Sequence, residues 1–253
     1  MPVDRPVVLV HGNPESEAVW GPLLHALGTQ DAVCLSPPGF GAPIPAGFGC
    51  TMPEYRDWLV SQLEAIGSPV HLVGHDWGGV HAVNVAMARP DLILSWASDA
   101  VGTFHPDYTW HELALRWQTP GEGEVSIAGM LGGTAADRAN RMVGQGIDRP
   151  VAELLADAQG EQMGRAVLAL YRSAAQPVLA DAGLTLPAAA ARPGLSVLAS
   201  QDHFVGSNGV RREAAERAGA RTEVFDGLGH WWMVQAPERA AHMLQAFWAS
   251  LGE

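Results

Sequence analysis

Gly74-His75-Asp76-Trp77-Gly78-Gly79 puts a carboxylate between glycines two residues before and two residues after it. That spacing lets a strand turn sharply into a helix and present the central side chain. An aspartate there is a candidate nucleophile, because the positive end of the following helix favours its ionised form. No Gly-x-Ser-x-Gly occurs in the chain, so a serine-nucleophile reading fails at its first step. Further along, Asp202 in Ser200-Gln201-Asp202-His203 and His230 in Gly227-Leu228-Gly229-His230 supply an acid and a histidine, in the order nucleophile, acid, base. Asp99 is a second acid to weigh, with a turn or helix-cap role as its alternative. His71, His75 and His81 lack the spacing of a metal set, so no metal and no cofactor is expected.

These residues need a frame, and the apolar pattern supplies one. Val7-Val8-Leu9-Val10 ends at His11-Gly12-Asn13-Pro14; Ala32-Val33-Cys34-Leu35 ends at Ser36-Pro37-Pro38-Gly39; Val70-His71-Leu72-Val73 ends at the Asp76 turn; Leu94-Ser95-Trp96-Ala97 ends at Ser98-Asp99. Continuous apolar runs separated by helix-period segments predict parallel strands covered on both faces. Thr51-Met52-Pro53-Glu54 followed by Tyr55, Leu59, Leu63 and Ile66 predicts a capped connector helix. The strand rhythm stops near Thr103 and resumes at Leu195-Ser196-Val197-Leu198. It continues with a helix from about Gly209 to Ala218, a strand Thr222 to Phe225, and a helix from Pro237 to Leu251. Residues 103–191 therefore read as an inserted helical lid, with 1–102 and 192–253 forming the core; Leu184 to Pro193 is linker-like. In open α/β sheets functional groups collect at the carboxyl ends of the strands, which is where His11, Asp76, Asp202 and His230 fall.

On these motifs the chain resembles the α/β-hydrolase fold, and within it the aspartate-nucleophile branch of epoxide hydrolases and haloalkane dehalogenases. The residues carrying the likeness are Gly74 to Gly79, His11-Gly12-Asn13-Pro14-Glu15-Ser16, Pro38-Gly39-Phe40-Gly41 and Gly229-His230-Trp231. The resemblance implies a mostly parallel sheet flanked by helices; this chain departs from the family pattern by starting almost at the strand before His11, so the usual N-terminal antiparallel hairpin is expected to be missing and the sheet to have about six strands. The resemblance also implies an ester on Asp76, hydrolysed by water that His230 activates with Asp202, and an oxyanion hole from the backbone N–H groups of Asn13 and Trp77. The leaving group separates the branches. Epoxide opening would draw on the lid tyrosines Tyr108 and Tyr171, and Ala169-Leu170-Tyr171-Arg172 leans that way; halide release would use the Trp77 indole and the Asn13 amide. The first is favoured, with dehalogenation as the alternative and a non-catalytic ligand-binding module behind both. Trp110, Trp117, Phe104 and Trp231 join Trp77 and Asn13 as candidate walls of an apolar cavity.

Composition narrows the partners. The 253 residues carry a net charge of −12, all 15 basic residues are arginine, and no basic cluster forms, which argues against nucleic acid. No apolar run approaches the roughly 20 residues that span a bilayer, and Met1 to Pro6 lack a secretory pattern. Two cysteines, Cys34 and Cys50, are too few for a disulfide framework. The expected partners are a small apolar substrate and water, in a cytoplasmic monomer or homodimer.

Overall fold

In the computed structural model, which describes residues 5–28 and 32–252, the all-apolar run β1 (Val7–Val10) sits inside a parallel sheet. The reading of Met1 to Asp4 lies outside the described residues. The strands are β1, β2 (Val33–Leu35), β3 (Val70–Gly74), β4 (Ile93–Ser98), β5 (Gly194–Ala199) and β6 (Ala220–Phe225), in the order β2-β1-β3-β4-β5-β6. All five pairings among them are parallel. Successive side chains of a strand point to opposite faces. Val8, Val10 and Leu72 accordingly enter one core cluster, and Val7, Leu9 and Val73 enter the other.

The first face is covered by α2 (Met52–Ile66) and α3 (Trp77–Ala88), through Tyr55, Leu59, Leu63, Val80 and Val83. The second is covered by α1 (Gly21–Leu27) and, at the far end of the chain, by a long C-terminal helix, Pro237–Ala249, through Leu23, Leu244 and Phe247. At the start of α2 both the backbone N–H and the hydroxyl of Thr51 donate to the Glu54 carboxylate, at 3.0 and 2.6 Å.

Between β4 and β5 the chain is helical: a short 3-10 turn Val101–Phe104, then α4 (Glu112–Gln118), α5 (Glu122–Leu131), α6 (Ala135–Gly144), α7 (Arg149–Ala158), α8 (Glu161–Ser173) and α9 (Val178–Ala182). Residues 184–193 are not a free linker. Gly183–Ala191 forms a 3-10 segment with Leu186 and Ala189 buried, and the Ala189 carbonyl accepts the Trp96 indole N–H at 3.1 Å. Apolar residues at three-residue spacing in this Ala-rich stretch find a core face, which its loop-like composition concealed. After β5 come α10 (Asn208–Arg217), β6, the short α11 (Trp232–Gln235) and the C-terminal helix α12 (Pro237–Ala249).

Candidate active site

Asp76 sits between β3 and α3 with φ 52° and ψ −122°, a backbone that non-glycine residues rarely adopt. The turn is tight enough that a Cβ on Gly74 would overlap the Gly78 carbonyl, and one on Gly78 would overlap the Val10 carbonyl. Two small residues thus let β1 and α3 close around the turn. Asp76 caps α3, where the first N–H groups of the helix, Trp77's among them, have no intrahelical partner. The Asn13 N–H donates to Asp76 Oδ1 at 2.9 Å, and the Asp76 N–H donates to Asp99 Oδ1 at 2.9 Å.

The structure brings Asp76, His230 and Asp202 together. His230 Nδ1 lies 2.9 Å from Asp202 Oδ2, and His230 Nε2 lies 3.7 Å from Asp76 Oδ2, with the histidine and Asp202 almost fully buried. The Phe204 N–H donates to the second Asp202 oxygen at 2.9 Å. Burial pushes the Asp202 carboxyl up, but the facing His230 outweighs it and holds the acid well below the usual range. Burial pulls His230 down, and Asp202 more than reverses this. Asp76 is raised to about 6 by burial, with His230 and His75 opposing. The Asp202 contact fixes the tautomer: Nδ1 carries the proton, and Nε2 faces the Asp76 carboxylate.

A second carboxylate–imidazole array lies directly beneath. His75 Nε2 is 3.1 Å from Glu15 Oε1 and its Nδ1 bonds Asp99 Oδ2, all three side chains being at most 1% exposed. Burial opposes the His75 charge, yet the two carboxylates carry its pKa well above 6.5. Burial pushes Glu15 up, but the charge and hydrogen bond of His75 together with His11 and His230 more than offset it and bring Glu15 down to about 2. Trp231 donates its indole N–H to Glu15 at 2.6 Å, and Trp232 donates its own to Asp99 at 2.7 Å. Asp99 is therefore neither a cap nor the partner of His230. Atoms of Glu15, His75 and His230 lie within 4.8 Å of one another, a grouping of metal-ligand types. However, the shared Glu15 oxygen already accepts two N–H donors, which suits a held proton better than a cation.

Above the triad is a cavity of about 330 Å3. Its walls include Asn13, Asp76, Trp117, Tyr171, His230 and Trp231 from the sequence reading. Four expected residues, Tyr108, Phe104, Trp110 and Trp77, stand outside its lining. Tyr108 packs edge-on against Trp110 and donates its hydroxyl to the Phe204 carbonyl at 2.9 Å, which turns it away from the cavity. Phe104 is fully buried in the core that carries the 3-10 turn. Trp110 stacks on Trp77 at 5.9 Å, so both indoles form a layer behind Tyr171. The Tyr171 hydroxyl accepts a long hydrogen bond from the Asn13 amide at 3.4 Å, and the Trp77 ring packs edge-on against the Tyr171 ring at 5.3 Å. Burial holds the Tyr171 pKa well above its usual value.

The sequence reading missed four wall or support residues. Glu15 was visible in the His11 motif without a role, and Asp99 was weighed as an alternative to Asp202 or as a turn or cap residue, not as a partner of His75. His111 lines the cavity at the start of α4; its Nδ1 accepts the Ala114 N–H at 3.2 Å, so a neutral ring carries its proton on Nε2. Burial and the nearby His230 lower its pKa to about 4. Arg211, 1% exposed, ties α10 to the Val197 and Ala199 carbonyls of β5 and places a cation near Asp202. Nothing short of the fold signals these placements.

The family described as the alpha/beta hydrolase family matches residues 7–243. A haloalkane dehalogenase of Bradyrhizobium diazoefficiens is 32% identical over 146 residues, 49% of this chain and 46% of that protein. An epoxide hydrolase of Caballeronia sordidicola is 34% identical over 91 residues, 34% of this chain and 27% of that protein. These matches span less than half the length of either relative. The crystal structure of an epoxide hydrolase from Vigna radiata superposes with a TM-score of 0.75 at 17% identity, covering 97% of this chain and 91% of that one.

Proposed function

The chain belongs to the alpha/beta hydrolase family, and from that premise we propose that it opens an apolar epoxide to a vicinal diol through an ester on Asp76. The observation that carries this reading is the Tyr171 hydroxyl. The Asn13 amide, one of the two donors that would cradle a departing halide, donates to this phenol oxygen instead, and the Trp77 ring packs edge-on against the Tyr171 ring. This hydroxyl donates no hydrogen bond among the described residues, so its proton is free to point into the cavity, where an epoxide oxygen would need it.

The chemistry follows from the geometry. An Asp76 carboxylate oxygen attacks an epoxide carbon, the C–O bond breaks, and the ring oxygen takes the Tyr171 proton. His111, with its tautomer fixed, offers an Nε2–H as a second donor from the same helical layer. His230 Nε2 then removes a proton from water, and the hydroxide adds to the ester carbonyl. The oxyanion forms where the Asn13 N–H already meets the carboxylate, with the Trp77 N–H beside it. Collapse returns the Asp76 carboxylate and releases the diol, and the His230 proton restores the phenol. Residues 103–191 act as the lid that brings Tyr171 and His111 over the core.

Haloalkane dehalogenation is the second reading, favoured by the Asn13 amide at the cavity wall and by the dehalogenase relative. Parallel turnover of styrene oxide and a bromoalkane separates the two. Diol formation with little bromide release is the expected result. Bromide release without diol would transfer the site to dehalogenation.

A further inference from the structure

Two of the fifteen arginines, Arg138 and Arg141, line the cavity from α6, while Asp76 is the one carboxylate among its lining residues. In a chain of net charge −12 this is a local reversal of sign. The two sit three residues apart, on the same helical face as Met142 and Gln145, and Arg141 and Gln145 are exposed. This places the guanidinium groups on the outer, solvent-reaching side of the cavity, with the Asp76–His230 pair buried at its floor.

Both groups are held in place without an ion pair among the described residues, although Asp137 beside them on the helix feels their charge. Arg141 Nη2 donates to the Met130 and Gly132 carbonyls at 2.8 and 2.9 Å, at the C-terminal end of α5. Its Nε and Nη1 have no hydrogen-bond partner among the described residues. Arg138 donates to the Leu131, Gly133 and Ala156 carbonyls. Asp137, the acid beside them on α6, has its carboxylate bound by the Thr134 N–H and hydroxyl at 2.9 and 2.8 Å. Between rim and floor the wall is apolar: Leu113, Trp117, Met130, Met142 and Phe204.

We propose that Arg138 and Arg141 form a carboxylate-binding subsite at the cavity rim, so that the substrate is an epoxide borne on an apolar chain that ends in a carboxylate. The claim rests on the epoxide reading for the reacting end alone; the anion subsite stands on the arginines. A carboxylate at this rim gains charge-assisted hydrogen bonds from guanidinium N–H groups that carbonyls have already oriented. The same anion would be repelled near Asp76, which fixes the direction in which the chain enters.

The test has a kinetic arm and a binding arm. Octanoate bearing a terminal epoxide is compared with its methyl ester on the wild type and on Arg141→Gln, which removes the charge and keeps a polar side chain. The expected result is a kcat/KM roughly 10-fold higher for the acid than for the ester in the wild type. That preference, read as the ratio of the acid to the ester, should be lost in the variant. Calorimetry of plain octanoate against octanamide on the same two proteins reads the subsite without any chemistry. The wild type should bind the acid about 10-fold more tightly and Arg141→Gln should not discriminate. Equal handling of acid and neutral analogue by the wild type, or an equal fall for both in the variant, overturns the subsite. Turnover of neither epoxide with the octanoate preference intact overturns the epoxide reading and leaves the subsite standing.

Discussion

The imidazole rings of His75 and His230 lie 4.5 Å apart, one locked between Glu15 and Asp99 and the other paired with Asp202. His75 holds its proton, and that charge pulls down the pKa of both His230 and Asp76. In the proposed reaction the buried array would thus keep His230 available as base and Asp76 ionised as nucleophile without touching substrate. Esterification of Asp76 adds to this effect. It removes a negative charge that raises the His230 pKa, so a larger fraction of the imidazole is neutral when water has to be deprotonated, at some cost in basicity.

The first expectation concerns pH. Asp76, raised to about 6, attacks only as the carboxylate, so kcat/KM should fall about 10-fold per pH unit below that value. A profile that stays flat between pH 5 and pH 8 by direct diol assay contradicts the assignment.

The same carboxyl affects stability. Its pKa rises from 3.8 to about 6 on folding, so the ionised form destabilises the fold by up to ~3 kcal/mol above pH 6, and this penalty disappears as the pH falls below 3.8. Asp76→Asn should therefore gain ~1–3 kcal/mol in urea unfolding at pH 7.5 while losing turnover. The gain should shrink towards zero near pH 4. Equal stability of the two proteins at pH 7.5 argues against a buried, strained charge at this position.

The tyrosines should separate cleanly. Tyr171→Phe removes the hydroxyl at the cavity wall and should lower epoxide opening by about 10²- to 10³-fold. Tyr108→Phe loses only a bond to the Phe204 carbonyl and should stay within about fivefold of the wild type, with a stability cost of ~1 kcal/mol. Rate measurements on both variants with one aryl epoxide decide the matter. Equal losses would put both hydroxyls in the reaction.

Removing a charge from the lower array should act on the fold. Glu15→Gln leaves the His75 imidazolium with Asp99 alone while preserving an oxygen for the Trp231 indole. A loss of ~2–4 kcal/mol is expected in urea denaturation. A change below 0.5 kcal/mol would mean that Glu15 does not hold the His75 proton.

Much of this architecture is legible in the sequence, because apolar runs that end in glycine, proline and acid residues mark strand ends, and strand ends mark the site. Asp76, Asp202 and His230 fall where that rule puts them, and the six strands agree with their runs to within about two residues. Two kinds of information were out of reach. Tyr108 and Tyr171 are alike as letters; only the fold gives one a carbonyl partner and leaves the other in the cavity. Leu186 and Ala189 lie in a stretch whose composition resembles a linker, and their burial depends on α3 and Trp96, far away in the chain. The pairing of Asp99 with His75 rather than His230 is likewise a three-dimensional choice between two histidines 4.5 Å apart.

The central claim is that Asp76 becomes covalently esterified, and the intact mass of the His230→Ala protein after incubation with an aryl epoxide tests it most directly. The deacylating base is then missing while the nucleophile remains. The account predicts an added mass equal to one whole epoxide, mapped to the peptide carrying Asp76 and absent from the His230→Ala, Asp76→Ala double variant. An unmodified protein that still turns the epoxide over, or an adduct that survives the loss of Asp76, would contradict it.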